Sequence, residues 1–321
     1  MLKKEEHRRD PTDSLEQILR ALPDRLTREI LRVGESQSDF ASALSEIRLH
    51  AGRQTYLTLA GRNLPLSVTL SGDEIAGVVR VFCAGSVYAY SDCLKRGYLP
   101  LPGGCRAGVA GEFVCEGGKI TGIRTVGSVV IRIARWIPGT GELAEAVFRR
   151  NGCRRGLLIF SPPGCGKTTV LRDLAVRLSC GARPLRTAIV DCRCEIAGDW
   201  LGRGACVEVL SGCGKGEGIA MAVRTLSPEV ILVDEIGGCE DIAVIRQNES
   251  GGVPMIATVH GSDFALLSTR SPVASLIRAG VFGGYVGIMR DENGGFCQYE
   301  AVDPDPILPA RDQFTSGGRI G

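Results

Sequence analysis

The run LLIFSPPGCGKTTVLRDLAVRL sets four apolar residues before a turn-rich loop, a lysine and two threonines, and then apolar positions at helical spacing. A strand, a glycine-containing loop and a helix in that order aim backbone amides at phosphate oxygens. The helix start adds positive potential. Lys167 then reaches the β and γ phosphates, and the Thr168 hydroxyl is placed for magnesium. The loop of Ser161, Pro162, Pro163, Gly164, Cys165, Gly166, Lys167, Thr168 and Thr169 is therefore assigned to a nucleoside triphosphate, read as ATP with Mg2+. Ser161 stands where the strict pattern has glycine, while the prolines and glycines after it define a stiff loop. The bland alternative is an ordinary strand-to-helix turn with a capping lysine.

Further along, VILVDEIGG brings Asp234 and Glu235 to the end of an apolar strand. Such a position supplies one carboxylate to a magnesium shell, here Asp234, and a second, Glu235, to orient an attacking water. IVDCRCEIAG offers Asp191 and Glu195, either to polarise water or to hold a metal-bound water, and the competing reading is a cap on the following turn. His260 ends MIATVHG and is one of three histidines. It is read as a group that contacts or senses the γ-phosphate, against the alternative of a turn anchor. In GSVVIRIAR, Arg132 interrupts an apolar alternation, with Arg124 and Arg135 nearby. These arginines either spread charge over the phosphates or form surface ion pairs.

The elements that must position these groups fall into two regimes. Residues 14–33 carry Leu15, Ile18, Leu19 and Leu22, then Leu26, Ile30 and Val33, at helical spacing, with Pro23 separating two short amphipathic helices. Short β-like runs follow over 45–70 (EIRLH, QTYLTLA, LPLSVTL), then helices over 72–81 and 87–96. Three strands joined by glycine turns come next (CRAGVAGEFVC, KITGIR, SVVIRIAR), giving an antiparallel meander. After Pro138 and a helix over 142–149, apolar strands alternate with helices, which predicts a mostly parallel sheet covered on both faces. The fold class is α/β, with a P-loop NTPase core preceded by a smaller α+β domain. The expected division is 1–137 for the N-terminal domain, 138–290 for the core, and 291–321 for a C-terminal strand and tail. In such a sheet the active groups belong at the carboxyl ends of the strands.

Bulk properties narrow the rest. Lys and Arg (38) nearly balance Asp and Glu (36), so no overall field draws the chain to a polyanion. No nucleic-acid partner is expected, since the C-terminal tail has no basic stretch interleaved with aromatics. The charged opening MLKKEEHRRD lacks a following apolar run, so thirteen cysteines read as reduced thiols of a cytoplasmic protein, most of them small core residues. No zinc is expected, because paired C-x-x-C motifs are missing and histidines are few. No apolar run reaches the roughly 20 residues of a membrane span, so any membrane association is peripheral.

SPPGCGKTT, DCRCEIAG, SPEVILVDEIGG and TVHG together resemble the secretion-superfamily ATPases that power type II and type IV secretion and pilus assembly. PEVILVDEI is similar to their second acidic strand, and ATVHG to their histidine box. EIRLHAGR, LPGGCRAGVAGEF and VVIRIAR extend the resemblance, from about Glu46 to Met289, to the stage III sporulation branch of that superfamily. The resemblance implies a RecA-like core and a ring of identical subunits, expected to be a hexamer. It further implies docking on membrane proteins of a stage III complex between mother cell and forespore. Carried over residue by residue, Lys167 and Thr168 are the phosphate and magnesium contacts and Glu235 is the leading catalytic carboxylate. Glu195 and His260 match supporting boxes, and Arg132 and Arg135 match arginines facing the nucleotide. Gly261 follows His260 where the secretion motors carry a polar residue. Three other classes remain: a nucleic-acid-stimulated RecA-like ATPase, a small-molecule kinase, and a nucleotide-binding scaffold with little turnover.

Overall fold

The computed structural model describes residues 12–301, except 182, 250, 251, 271 and 291–294. The expected C-terminal tail lies outside the described residues from 302 onward. The chain divides into two units: one of residues up to Arg135 together with Gly198–Trp200, the other of Trp136–Ala197 and the residues from Leu201.

In the first unit, the apolar periodicity at the start forms α1 (Thr12–Arg20) and α2 (Asp24–Glu35), with Pro23 immediately before α2. They bury Ile18, Leu19, Leu26 and Ile30, together with Leu22 of the link between them. A short α3 (Phe40–Ala43) leads into β1 (Leu44–His50), β2 (Gln54–Leu59) and β3 (Arg62–Thr69). Next comes α4 (Gly72–Phe82), whose start is fixed by a reciprocal cap: Glu74 N donates to Ser71 Oγ at 3.2 Å, and Ser71 N to the Glu74 carboxylate at 2.8 Å. The helix expected over 87–96 is instead a 3-10 turn, Val87–Tyr90, followed by the short α5 (Ser91–Lys95).

The strands β4 (Tyr98–Pro100), β5 (Arg106–Glu116) and β6 (Lys119–Arg132) complete a six-stranded antiparallel sheet, in the order β3-β2-β1-β6-β5-β4. Here the structure corrects the sequence reading: KITGIR and SVVIRIAR are one strand, not two. The pairing passes from Ala110↔Ser128 to Gly111↔Val126, so Gly127 is absorbed as a bulge instead of reversing the chain. A Cβ on Gly111 would lie 1.9 Å from the Thr125 carbonyl oxygen, so glycine permits the close approach.

The second unit begins on an anchored segment. Asp173, buried in the core, accepts from Trp136 Nε1 at 2.8 Å and from Gly141 N at 2.7 Å. After α6 (Glu142–Arg150) the chain alternates: β7 (Gly156–Ser161), α7 (Lys167–Ser179), β8 (Thr187–Asp191), β9 (Val207–Ser211), α8 (Lys215–Thr225), β10 (Val230–Val233), α9 (Cys239–Glu249), β11 (Met255–His260), α10 (Phe264–Arg270), α11 (Ala274–Arg278), β12 (Phe282–Arg290) and β13 (Phe296–Ala301). The sheet order is β13-β12-β7-β11-β10-β8-β9, parallel except for the β12–β13 pair. Every residue of β7, β8 and β10 is buried, and apolar clusters pack on both faces, as a covered parallel sheet requires.

All thirteen cysteines are free, but only Cys83, Cys105 and Cys165 are buried, so the expectation that most are core residues is corrected. The others are half-buried or exposed, and Cys192 and Cys194 sit in the turn that follows β8. Among the described residues, no helix is long and apolar enough to cross a membrane.

Candidate functional site

The parallel sheet brings the carboxyl ends of β7, β11, β10 and β8 to one edge in that spatial order. The loop after β7 turns on two left-handed glycines, Gly164 (φ 73°) and Gly166 (φ 89°). A Cβ would meet nothing within 4 Å at either, so backbone conformation, not space, calls for glycine there. Ser161 ends β7, fully buried, and is not among the residues with positive φ, so this position does not need glycine. Cys165 tucks inward with its thiol toward the Pro163 carbonyl at 3.8 Å. Pro162 and Pro163 span the turn between them.

Lys167 and Thr168 open α7. The ammonium of Lys167, largely buried, donates to the Ser161 carbonyl, the Ser161 hydroxyl and the Pro162 carbonyl, each at 3.2 Å, and lies 3.0 Å from His260 Nδ1. Burial lowers its pKa, against the opposing pull of Asp234 and Glu235. Thr168 Oγ1 donates to Asp234 Oδ2 at 2.8 Å. Thr169 follows in the first turn of the same helix.

Asp234 and Glu235 leave β10 with distinct supports. Thr258, inside β11 and fully buried, donates its hydroxyl to Asp234 Oδ1 and accepts from Glu235 N at 2.7 Å. Glu235 adopts a left-handed backbone, φ 56°, where non-glycine residues are uncommon and carry strain. The Lys215 ammonium donates to its carbonyl and sits 3.2 Å from Asp241 Oδ2. The carboxylate receives His260 Nε2 on Oε1 at 2.7 Å and pairs through Oε2 with Arg193. Burial alone would raise the Glu235 pKa, but the His260 hydrogen bond and the charges of Arg193 and Lys215 outweigh it and lower the value.

His260 is held opposite Ser161 in the β7–β11 register. Asp191, by contrast, is spent on structure: its buried carboxylate accepts from Glu195 N at 2.8 Å and from Ile196 N and Ala197 N at 2.9 Å each. Of the two roles open to it in the sequence, it takes the turn cap. Glu195 is half-buried in the same turn, and its carbonyl accepts from Arg172 Nε of α7 at 2.7 Å.

Lys167, Thr168, Asp234, Glu235 and His260 thus form one connected set within the second unit. The two arginines belong to the first unit. Arg132 is exposed and lies across the sheet from Glu46, 3.6 Å from its carboxylate. Arg135 donates to the Leu44 carbonyl, and burial lowers its pKa. Sequence reasoning missed Arg193, Lys215 and Thr258. Arg193 lies inside the quoted box DCRCEIAG, between the two acidic residues singled out there. Thr258 was visible as the one polar residue inside an apolar strand. Lys215 had no local signal.

Residues 12–300 match the model of the family described as sporulation stage III, protein AA. The chain belongs to that family. It is 33% identical over 289 residues to stage III sporulation protein AA of Bacillus subtilis (strain 168), covering 88% of this chain and 93% of that one. Among solved structures it is similar to the Legionella pneumophila ATPase DotB, with a TM-score of 0.60 and 16% identity over 87% of this chain and 81% of that one. It is similar as well to the pilus retraction motor PilT with bound ADP, with a TM-score of 0.60 and 14% identity over 87% and 83%. At such identities the likeness is one of fold alone: an α/β, RecA-like fold with a mostly parallel core sheet, preceded in the chain by an α+β N-terminal region.

Proposed function

We propose that this family member is an ATPase that binds ATP with Mg2+ at the β7–α7 loop and drives a stage III sporulation channel complex. The observation that carries the reading is the meeting, at one edge of a parallel sheet, of Lys167 and Thr168 with Asp234, Glu235 and His260. In this reading the amides of Gly164 to Thr169 and the start of α7 hold the phosphates, and Lys167 leaves the loop carbonyls to pair with them.

Thr168 Oγ1 and Asp234 are two adjacent oxygen donors, which suits a hard cation that takes few protein ligands alongside phosphates and water. They would hold magnesium, whose charge offsets that of the phosphate oxygens. Glu235 orients water and accepts its proton as the water oxygen bonds to the γ-phosphorus and the bond to the departing ADP oxygen breaks. His260, between Lys167 and Glu235, reports whether the phosphate position is filled. Glu195 remains a candidate to support the metal-bound water, and Arg132 and Arg135 remain candidates to face the nucleotide.

A ring of identical subunits, taken as a hexamer, peripheral docking on membrane proteins of the complex and a cytoplasmic location complete the proposal. It is supported by family membership and by the fold shared with secretion ATPases. Phosphate release from ATP by wild type, Lys167→Ala and Glu235→Gln, with mass measured with and without nucleotide, tests it. Turnover lost in both variants, with ATP binding kept in Glu235→Gln, and nucleotide-promoted assembly are expected. Turnover unchanged in Lys167→Ala would overturn the assignment of the loop.

A further inference from the structure

The contacts along the sheet edge form an unbroken series, Lys167–His260–Glu235–Arg193, and the series follows the strand order β7, β11, β10, β8. At one end lies the phosphate lysine, and at the other a guanidinium on the loop that Asp191 caps. Arg193 is half exposed, while the Glu235 carboxylate it meets is mostly buried. Three backbone amides fix the turn after it, so the base of the Arg193 side chain is held while its end is open to exchange partners. Its pairing there occupies the Glu235 oxygen other than the one that receives His260.

We propose that Arg193 is a catalytic arginine supplied in cis: it pairs with Glu235 when the phosphate position is empty and transfers to the γ-phosphate when ATP is bound. The proposal rests on the nucleotide-hydrolysis reading above. An ion pair open to water is weak, whereas a terminal phosphate offers more charge and three acceptor oxygens to a fork of donors. The exchange has two effects at once. Arg193 carries charge developing on the γ-phosphoryl oxygens, and Glu235, relieved of a cation, becomes the better acceptor of the water proton. Arg193 keeps its own proton throughout, and the reaction stays ATP plus water to ADP plus phosphate. The geometry also couples states: until a γ-phosphate is present, the carboxylate that would activate water is held by two donors.

The test uses the full chain, with Arg193→Ala and Arg193→Lys compared against wild type and Lys167→Ala. Affinity for ADP and for a non-hydrolysable ATP analogue is measured alongside phosphate release. We expect Arg193→Ala to weaken the analogue about tenfold while leaving ADP within about twofold, because only the triphosphate presents the contacted oxygens. Its turnover should fall by roughly a hundredfold or more, with Arg193→Lys in between. An unchanged ratio of analogue to ADP affinity, or turnover equal to or above wild type, overturns the proposal and leaves Arg193 as a lock on Glu235. Wild type that binds neither nucleotide would remove the hydrolysis reading and this proposal together. Wild type that binds and hydrolyses while Arg193→Ala matches it removes only the arginine assignment. The Arg193 side chain is half exposed, and the melting temperature of Arg193→Ala serves as the control for folding.

Discussion

Replacing Asp191 with alanine should destabilise the second unit far more than a surface acidic residue would. Its carboxylate accepts from three amides, at 2.8, 2.9 and 2.9 Å. A hydrogen bond to a charged group contributes about 1.5–3 kcal/mol, and a buried donor left without a partner costs about 1–3 kcal/mol. Ile196 is fully buried, so its amide finds no water, whereas Glu195 and Ala197 are half-buried and are partly rehydrated. One orphaned donor and two partly recovered bonds amount to about 3–4 kcal/mol. In a unit of this size each kcal/mol moves the midpoint by about 2–4 °C, so Tm should fall by about 10 °C. Asp191→Asn keeps one acceptor oxygen and should lose about half as much. Calorimetry that separates the transitions of the two units gives the readout. A midpoint for Asp191→Ala within about 2 °C of wild type would refute the reasoning, and would reopen a catalytic role for this carboxylate.

Glu235 allows two further checks. Its left-handed backbone costs a residue with a Cβ about 1–2 kcal/mol that glycine does not incur, offset in part by glycine's larger unfolded-state entropy. Glu235→Gly should therefore melt about 1–3 °C above Glu235→Ala, although both lack the carboxylate, and the reverse order would remove the strain argument. The second check is acid titration. The folded-state pKa of Glu235 is lowered, so its contribution to stability is present above its ordinary value of 4.5 and is lost as pH falls below that through the folded value. The stability difference between wild type and Glu235→Gln should shrink over that acid range in chemical denaturation, and a difference independent of pH would contradict it.

Much of this architecture was legible in the chain because the signals are local. The run from Leu157 to Thr169 carries strand, loop and helix start within a few turns of backbone, and the apolar strand before Asp234 announces where its carboxylate emerges. The alternation of strands and helices predicts a parallel sheet for the same reason. The long hairpin strand was misread because Gly127 has identical local propensity in a turn and in a bulge, and only its pairing with β5 decides between them. Arg132 was singled out by an interrupted alternation and Arg135 by lying close to it in sequence, yet what they touch in their own unit, Glu46 and the Leu44 carbonyl, depends on how distant strands pair.

The sequence by itself determined most of the elements and the residue types at their ends, since hydrophobic period, turn residues and helix starts act over a few positions. The tertiary structure alone decided who meets whom. Strands β7, β11, β10 and β8 are neighbours in an order that the chain does not follow, so Thr168 finds Asp234, Lys167 finds His260, and Arg193 finds Glu235 across tens of intervening residues. It also decided that Asp191 closes a turn and that Glu235 sits in a left-handed conformation, braced by Thr258 and Lys215. Those outcomes follow from sheet order and burial, which set the dielectric, the available donors and the strain that each side chain meets, and none of these is a property of a short stretch of chain.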